Sequence, residues 1–175
     1  MNPAKVKKVS KWLSRHLRHP SDLIHPDAGG WVAVKQLLEV APVWITRGDL
    51  LLAVENNDKQ RFTIQDDRIR ANQGHSIPVA LGLLAVVPPE FLYHGTYHEA
   101  VASIEREGLL KMNRPHVHLA AETGTATIVG RRSGTPVVFQ VLSGAMHRDD
   151  IIFYQSTNGV WLVDYVHPSY LKRMP

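Results

Sequence analysis

Hydrophobic residues near the amino terminus recur at helical spacing. Val6, Val9, Trp12, Leu13 and Leu17 fall on one face, while the lysines, Arg15 and His16 share the remainder. Asn2 ahead of Pro3 predicts an N-cap with proline at the first helical position. Pro20 stops the helix near His19, because the residue before a proline is pushed out of the α region. Asp27-Ala28-Gly29-Gly30 predicts a turn, Trp31-Val32 a short strand, and Val34 to Val40 a short helix ended by Pro42. Thr46 predicts the cap of another helix reaching Asn56, with Leu50, Leu51, Leu52 and Val54 on its buried side. Residues 61–65 and 68–72 then alternate with period two about Asp66-Asp67, which predicts a β-hairpin. Its alternation sends Phe62, Ile64, Ile69 and Ala71 inward and Arg61, Arg68 and Arg70 to the wetter face. Helices followed by a hairpin are the order of a winged-helix module.

Pro88-Pro89 interrupts both helix and sheet, and marks the predicted boundary between a lobe at 1–88 and a lobe at 89–175. The second lobe opens with a strand at Phe91 to His94. Thr96-Tyr97-His98-Glu99 has the capping-box pattern, predicting a helix to Glu107 that Gly108 ends. Val117 to Leu119, Val137 to Leu142, Ile151 to Tyr154 and Val160 to Val163 predict strands, with a helix from Glu122 to Arg132 between the first two. The chain is therefore expected to be α+β, its carboxyl lobe rich in β structure.

Charge sharpens this picture. The 175 residues are 44% hydrophobic, enough to bury a core, and carry 20 Lys+Arg against 16 Asp+Glu. Six of the basic residues and none of the acidic ones lie in residues 1–20, which leaves 14 basic against 16 acidic residues elsewhere. A cationic amino-terminal segment on a balanced body points to a polyanionic partner. The longest apolar stretch, Val79 to Val87, is about half what a membrane helix needs. The basic start lacks the apolar run of a secretory signal, and zero cysteines exclude disulfides, thiolate metal sites and a cysteine nucleophile. A cytoplasmic chain is expected.

Several short constellations carry chemistry, each beside a plainer reading. Arg18-His19 joins a phosphate-matching fork to a group titrating near neutrality, yet it also fits a solvated helix end, and Arg15-His16 has the same composition. Arg61, Arg68 and Arg70 suit phosphates, or a strand face balanced by Asp66 and Asp67. His94-Gly95-Thr96, placed where strand turns to helix, suits an anion or a ribose, or is an ordinary turn. His116-Val117-His118 sets two imidazoles on one strand face, with His94 and His98 as conceivable further ligands, but no acid or cysteine completes a metal spacing. Gly130-Arg131-Arg132 reads as surface charge beside a glycine stop.

The order of these motifs is more specific than any one of them. Leu17-Arg18-His19, Asn57-Asp58-Lys59-Gln60-Arg61-Phe62, Gln73-Gly74-His75-Ser76, Tyr93-His94-Gly95-Thr96, His116-Val117-His118-Leu119, Gly130-Arg131-Arg132 and Asn158-Gly159-Val160-Trp161 run nearly end to end. In that order the chain closely resembles the NAD-dependent RNA 2′-phosphotransferases, which remove an internal 2′-phosphate at a tRNA splice junction. The resemblance implies a winged-helix amino lobe, an ADP-ribosyltransferase-like carboxyl lobe and an active site between them. It implies catalytic roles for Arg18, His19, Arg61 and Arg132, Arg131 leaving a one-residue ambiguity. His94, Gly95, Thr96 and His118 would bind NAD, a consumed co-substrate. The implied reaction joins the RNA 2′-phosphate to the nicotinamide ribose with loss of nicotinamide. It then resolves that ADP-ribosylated phosphate into 2′-hydroxyl RNA and ADP-ribose 1″,2″-cyclic phosphate. The implied partners are 2′-phosphorylated RNA and NAD, with no metal, no membrane and a monomeric chain. Two alternatives remain open at this point: the same chemistry on a terminal nucleic-acid phosphate, and a winged-helix binder without catalysis.

Overall fold

A computed structural model describes residues 2–57 and 59–175, so Asp58 of the Asn57–Phe62 motif lies outside the described residues. The chain divides into two compact units, residues 1–82 and 83–175. No helix among the described residues is long and apolar enough to cross a membrane.

The first unit runs α1 (Pro3–Arg18), β1 (Val32–Ala33), α2 (Val34–Val40), α3 (Arg47–Glu55), β2 (Phe62–Gln65) and β3 (Arg68–Ala71). The Asn2 side chain accepts from the Ala4 N–H, the cap its sequence predicts. Val9, Leu13 and Leu17 of α1 are buried with Leu37, Leu50, Phe62, Ile69 and Ala71 in one core. Val6 and Trp12 are only half-buried, at the margin of that stripe. The hairpin forms as its alternation predicts, with Asp66 and Asp67 at positive φ in the turn and β1 added on its other edge, in the order β1-β3-β2. Thr46 caps α3 through a reciprocal pair: its hydroxyl accepts from Asp49 N–H, and the Asp49 carboxylate accepts from Thr46 N–H. Leu51 and Leu52 are a correction, because they lie exposed. At 100° per residue, a short helix with Leu50 and Ala53 inward must turn its intervening pair to water.

The second unit contains β4 (Leu92–Tyr97), α4 (Val101–Glu107), β5 (Leu109–Leu110), β6 (Val117–Leu119), α5 (Thr123–Gly130), β7 (Pro136–Val141), α6 (Ser143–Arg148), β8 (Tyr154–Gln155), β9 (Trp161–Val163), β10 (Tyr165–Val166) and β11 (Leu171–Arg173). Strands pair antiparallel as β11-β7-β4, β6-β9-β8 and β10-β5, and a bridge between Tyr93 and Ala120 ties β4 to the chain just after β6. Both units mix helix and sheet, so the α+β class holds. The capping box read at Thr96 to Glu99 is not one. Thr96 is buried in β4 opposite Val137, Tyr97 pairs with Pro136, and a 3-10 turn at His98–Ala100 separates the strand from α4. The ladder to β7 takes the backbone groups that a helix start would have left open.

Candidate functional site

In the first unit, the end of α1 is tied to the Gln73-Gly74-His75-Ser76 segment. Ser76 N–H donates to the Arg18 carbonyl at 2.8 Å, and Ser76 Oγ lies 3.2 Å from that same oxygen. His19 Nδ1 meets Ser76 Oγ at 2.8 Å. A hydroxyl has one proton. When Ser76 gives it to the Arg18 carbonyl, His19 Nδ1 must be the donor to Ser76, which leaves Nε2 as the basic nitrogen. Arg18 is turned inward, its guanidinium 5.8 Å from the Phe62 ring centroid and its Nε and Nη2 atoms buried. The rival pair is placed otherwise. Arg15 is exposed, and His16 donates from Nδ1 to the Trp12 carbonyl while stacking on the Trp12 ring at 4.5 Å.

Arg61 is fixed by a residue that pattern alone did not single out. Buried Asn57 accepts at Oδ1 from Arg61 Nη1 (3.1 Å) and Lys59 N–H (3.2 Å), and donates from Nδ2 to Ser10 Oγ on α1. Arg68 and Arg70 are committed elsewhere. Arg68 pairs with Asp27, Arg70 donates to the Gly29 carbonyl, and both lie over the Trp31 ring. Asp27 accepts from the N–H groups of Gly29 and Trp31, and the Trp31 bond leads the causes that hold its carboxyl below the usual range. These two arginines clamp a turn. His75 is buried, its Nε2 lacks a partner among the described residues, and burial followed by the charges of Arg18, Arg70 and His19 pushes its pKa down to about 4. A neutral imidazole thus underlies the cationic cluster at pH 7.

In the second unit, β4 presents His94 and β6 presents His118. His94 Nδ1 donates to the His118 carbonyl at 3.1 Å, so its Nε2 carries a lone pair. Burial, ahead of the raising His118 bond and the lowering charge of Arg114, depresses the His94 pKa, and the ring is neutral at pH 7. Arg114 Nη1 donates to His118 Nδ1 at 3.2 Å, which places the proton of a neutral His118 ring on Nε2. Arg114 went unmarked in the sequence, where only its position two residues before His116-Val117-His118 signals it. Arg132, the arginine that the resemblance implies, is exposed on the turn after α5. Gly95 and Thr96 sit mid-strand. A Cβ on Gly95 would lie 1.7 Å from the Ala126 carbonyl oxygen, so that glycine is what lets α5 pack backbone-to-backbone on β4. His116 points to Asp164 and the Tyr154 ring, and His98 is exposed in the 3-10 turn. Among the described residues, no three His, Cys, Asp or Glu side chains gather to hold a metal ion.

Residues 4–165 match the family model described as RNA 2′-phosphotransferase, Tpt1 / KptA family. A probable RNA 2′-phosphotransferase of Nostoc punctiforme is 49% identical over 181 positions, covering 99% of this chain and all of the relative. Proteins of the same description from Streptomyces coelicolor and Flavobacterium johnsoniae are each 47% identical, with at least 97% of every chain covered. A match of this length and identity decides the matter: the chain belongs to the RNA 2′-phosphotransferase, Tpt1 / KptA family.

Proposed function

We propose that this chain removes an internal 2′-phosphate from RNA, of the kind left at a tRNA splice junction, by transferring it to NAD. In this reading the first unit is a winged-helix lobe that takes the RNA, and the second an ADP-ribosyltransferase-like lobe that takes NAD. The observation that carries the NAD assignment is the fixed, neutral His94 ring, whose Nε2 lone pair accepts from a sugar hydroxyl while Arg114 stands beside His118 as an anion ligand. That donor set fits a diol joined to a pyrophosphate. NAD supplies the ribose carbon to be phosphorylated, with nicotinamide as its leaving group. Arg61, held by Asn57, and Arg18, packed over Phe62, supply the positive charge for the RNA 2′-phosphate, offsetting the repulsion between two dense anions and matching charge on phosphoryl oxygens in the transition state. His19, oriented by Ser76, moves a proton at Nε2. Arg114 is the cation that the second unit offers beside His118, and Arg132 stays the candidate that the resemblance supplies. Thr96, buried in β4, and Gly95 serve by holding His94 in register.

The test is to incubate an internally 2′-phosphorylated oligonucleotide with NAD in the presence of a chelator. Free nicotinamide and 2′-hydroxyl RNA should appear in equal amounts. Unchanged RNA would refute the reading, and modification of end-phosphorylated oligonucleotides alone would move the activity to terminal phosphates.

A further inference from the structure

The first unit carries a groove of about 660 Å³ that the reacting cluster does not account for. Burial of Val9, Leu13 and Leu17 fixes the rotation of α1, and the 3.6-residue period then places Lys7, Ser10, Lys11 and Ser14 along one wall. Lys59 and Arg61, from the segment after α3, form the other. Lys7 and Lys11 are exposed and meet no carboxylate among the described residues, whereas Lys5, on the same helix, is taken up by Asp49 at 2.8 Å. No carboxylate lines the groove among the described residues. One wall therefore offers two lysines interleaved with serine hydroxyls, and the other offers Lys59 and Arg61.

We infer that this groove binds the sugar-phosphate backbone of the nucleotides flanking the 2′-phosphorylated one, as single-stranded RNA. The inference rests on the proposed placement of the 2′-phosphate at Arg61. From there the strand runs along α1 past Lys11 and Lys7. A cavity of this volume admits a short run of single strand but not a duplex. Cations that trail away from the reacting phosphate act on affinity and leave the chemistry to Arg18, His19 and Arg61.

Affinity is measured by fluorescence anisotropy against salt, for a 2′-phosphorylated decanucleotide and for an unmodified one, alongside turnover of a 2′-phosphorylated dinucleotide. Losing two single-strand phosphate contacts should reduce the log–log salt slope of the Lys7→Ala/Lys11→Ala double variant by about 1.4. Its KM for the decanucleotide should rise, while dinucleotide turnover stays near that of the unaltered protein. Lys8→Ala/Lys35→Ala removes the same charge from exposed positions outside the groove and should keep the slope. An unchanged slope in the first variant, an equal loss in both variants, equal loss on the dinucleotide, or equal affinity for duplex RNA would each overturn the inference. The unmodified decanucleotide reads the groove without chemistry. Absence of turnover would therefore count against the proposed function and leave the groove result standing on its own.

Discussion

Gly95→Ala is expected to be among the most damaging single-methyl additions in the second unit. The new Cβ would lie 1.7 Å from the Ala126 carbonyl oxygen, 2.5 Å from its carbon and 3.0 Å from its Cα, all backbone atoms that no rotamer change can clear. Gly130, one turn along α5, is held in the same way, its Cβ direction ending 2.3 Å from the Thr96 carbonyl oxygen. To restore ordinary contact α5 must withdraw by about 1.5–2 Å, a gap that forfeits much of the dispersion between helix and sheet. Overpacking of this kind costs about 3 kcal/mol, the upper end of the usual range. For a unit of this size that lowers the melting temperature by roughly 12–24 °C. The assay is thermal unfolding followed by near-ultraviolet circular dichroism, with Gly124→Ala as control. Gly124 lies in the same helix with nothing within 4 Å of its Cβ direction, so alanine there should be neutral or stabilising by up to about 1 kcal/mol. A Gly95→Ala protein melting within about 3 °C of the unaltered chain, a deficit below about 1 kcal/mol, would refute the packing argument.

Ser76→Ala should lower kcat by about 10- to 100-fold with little change in KM, because His19 loses the partner that orients it, and Ser76→Thr should restore most of the rate. Equal rates for all three proteins would remove Ser76 from the account. Arg114→Ala is expected to reduce kcat/KM by about 100- to 1,000-fold, and Arg132→Ala by less than about tenfold; steady-state kinetics giving the reverse order would make Arg132, not Arg114, the arginine of the second unit that the reaction needs. Thr46→Ala breaks a capping box and should cost about 1 kcal/mol in urea unfolding. Within that box the Lys5 bond, then the Thr46 bonds, lower the Asp49 carboxyl to about 2. Its stabilisation is therefore complete above the ordinary value of 3.8 and lost as pH falls through about 2, a slope that Asp49→Asn should remove. His75 behaves conversely to a paired histidine: with its pKa lowered to about 4, the unfolded chain binds the extra proton, and stability should fall as pH drops from 6.5 toward 4. Titration of His75 by NMR at an ordinary histidine value would contradict this.

Local chemistry made much of the first unit legible. The Asn2 cap, the α2 span and the hairpin turn at Asp66-Asp67 are set by neighbours within a few residues, and sequence pattern reports such forces directly. Thr96 shows the limit. Its capping-box spacing is real, but the pairing of Thr96 with Val137 is forty-one residues distant and outweighs it. The site divides along the same line. Arg18, His19 and His94 were readable as motif residues, and the bonds to Ser76 and the His118 carbonyl give them a stated orientation. Asn57 and Arg114 were not singled out, because each acts through a partner four residues along the chain that irregular backbone turns toward it: Arg61 after the turn that follows α3, and His118 after the bend that leads into β6. Arg68 and Arg70 looked equal to Arg61 by alternation, and only the position of Asp27, Gly29 and Trp31 separates the two that clamp a turn from the one proposed to hold phosphate.

In the proposed reaction NAD, rather than water, accepts the RNA 2′-phosphate. An oligonucleotide radiolabelled in its internal 2′-phosphate tests it directly when incubated with the protein, with and without NAD, and resolved by chromatography. Label should leave the RNA only when NAD is present, and should be recovered in a nucleotide product that a phosphomonoesterase cannot open. Label released as inorganic phosphate without NAD would contradict this.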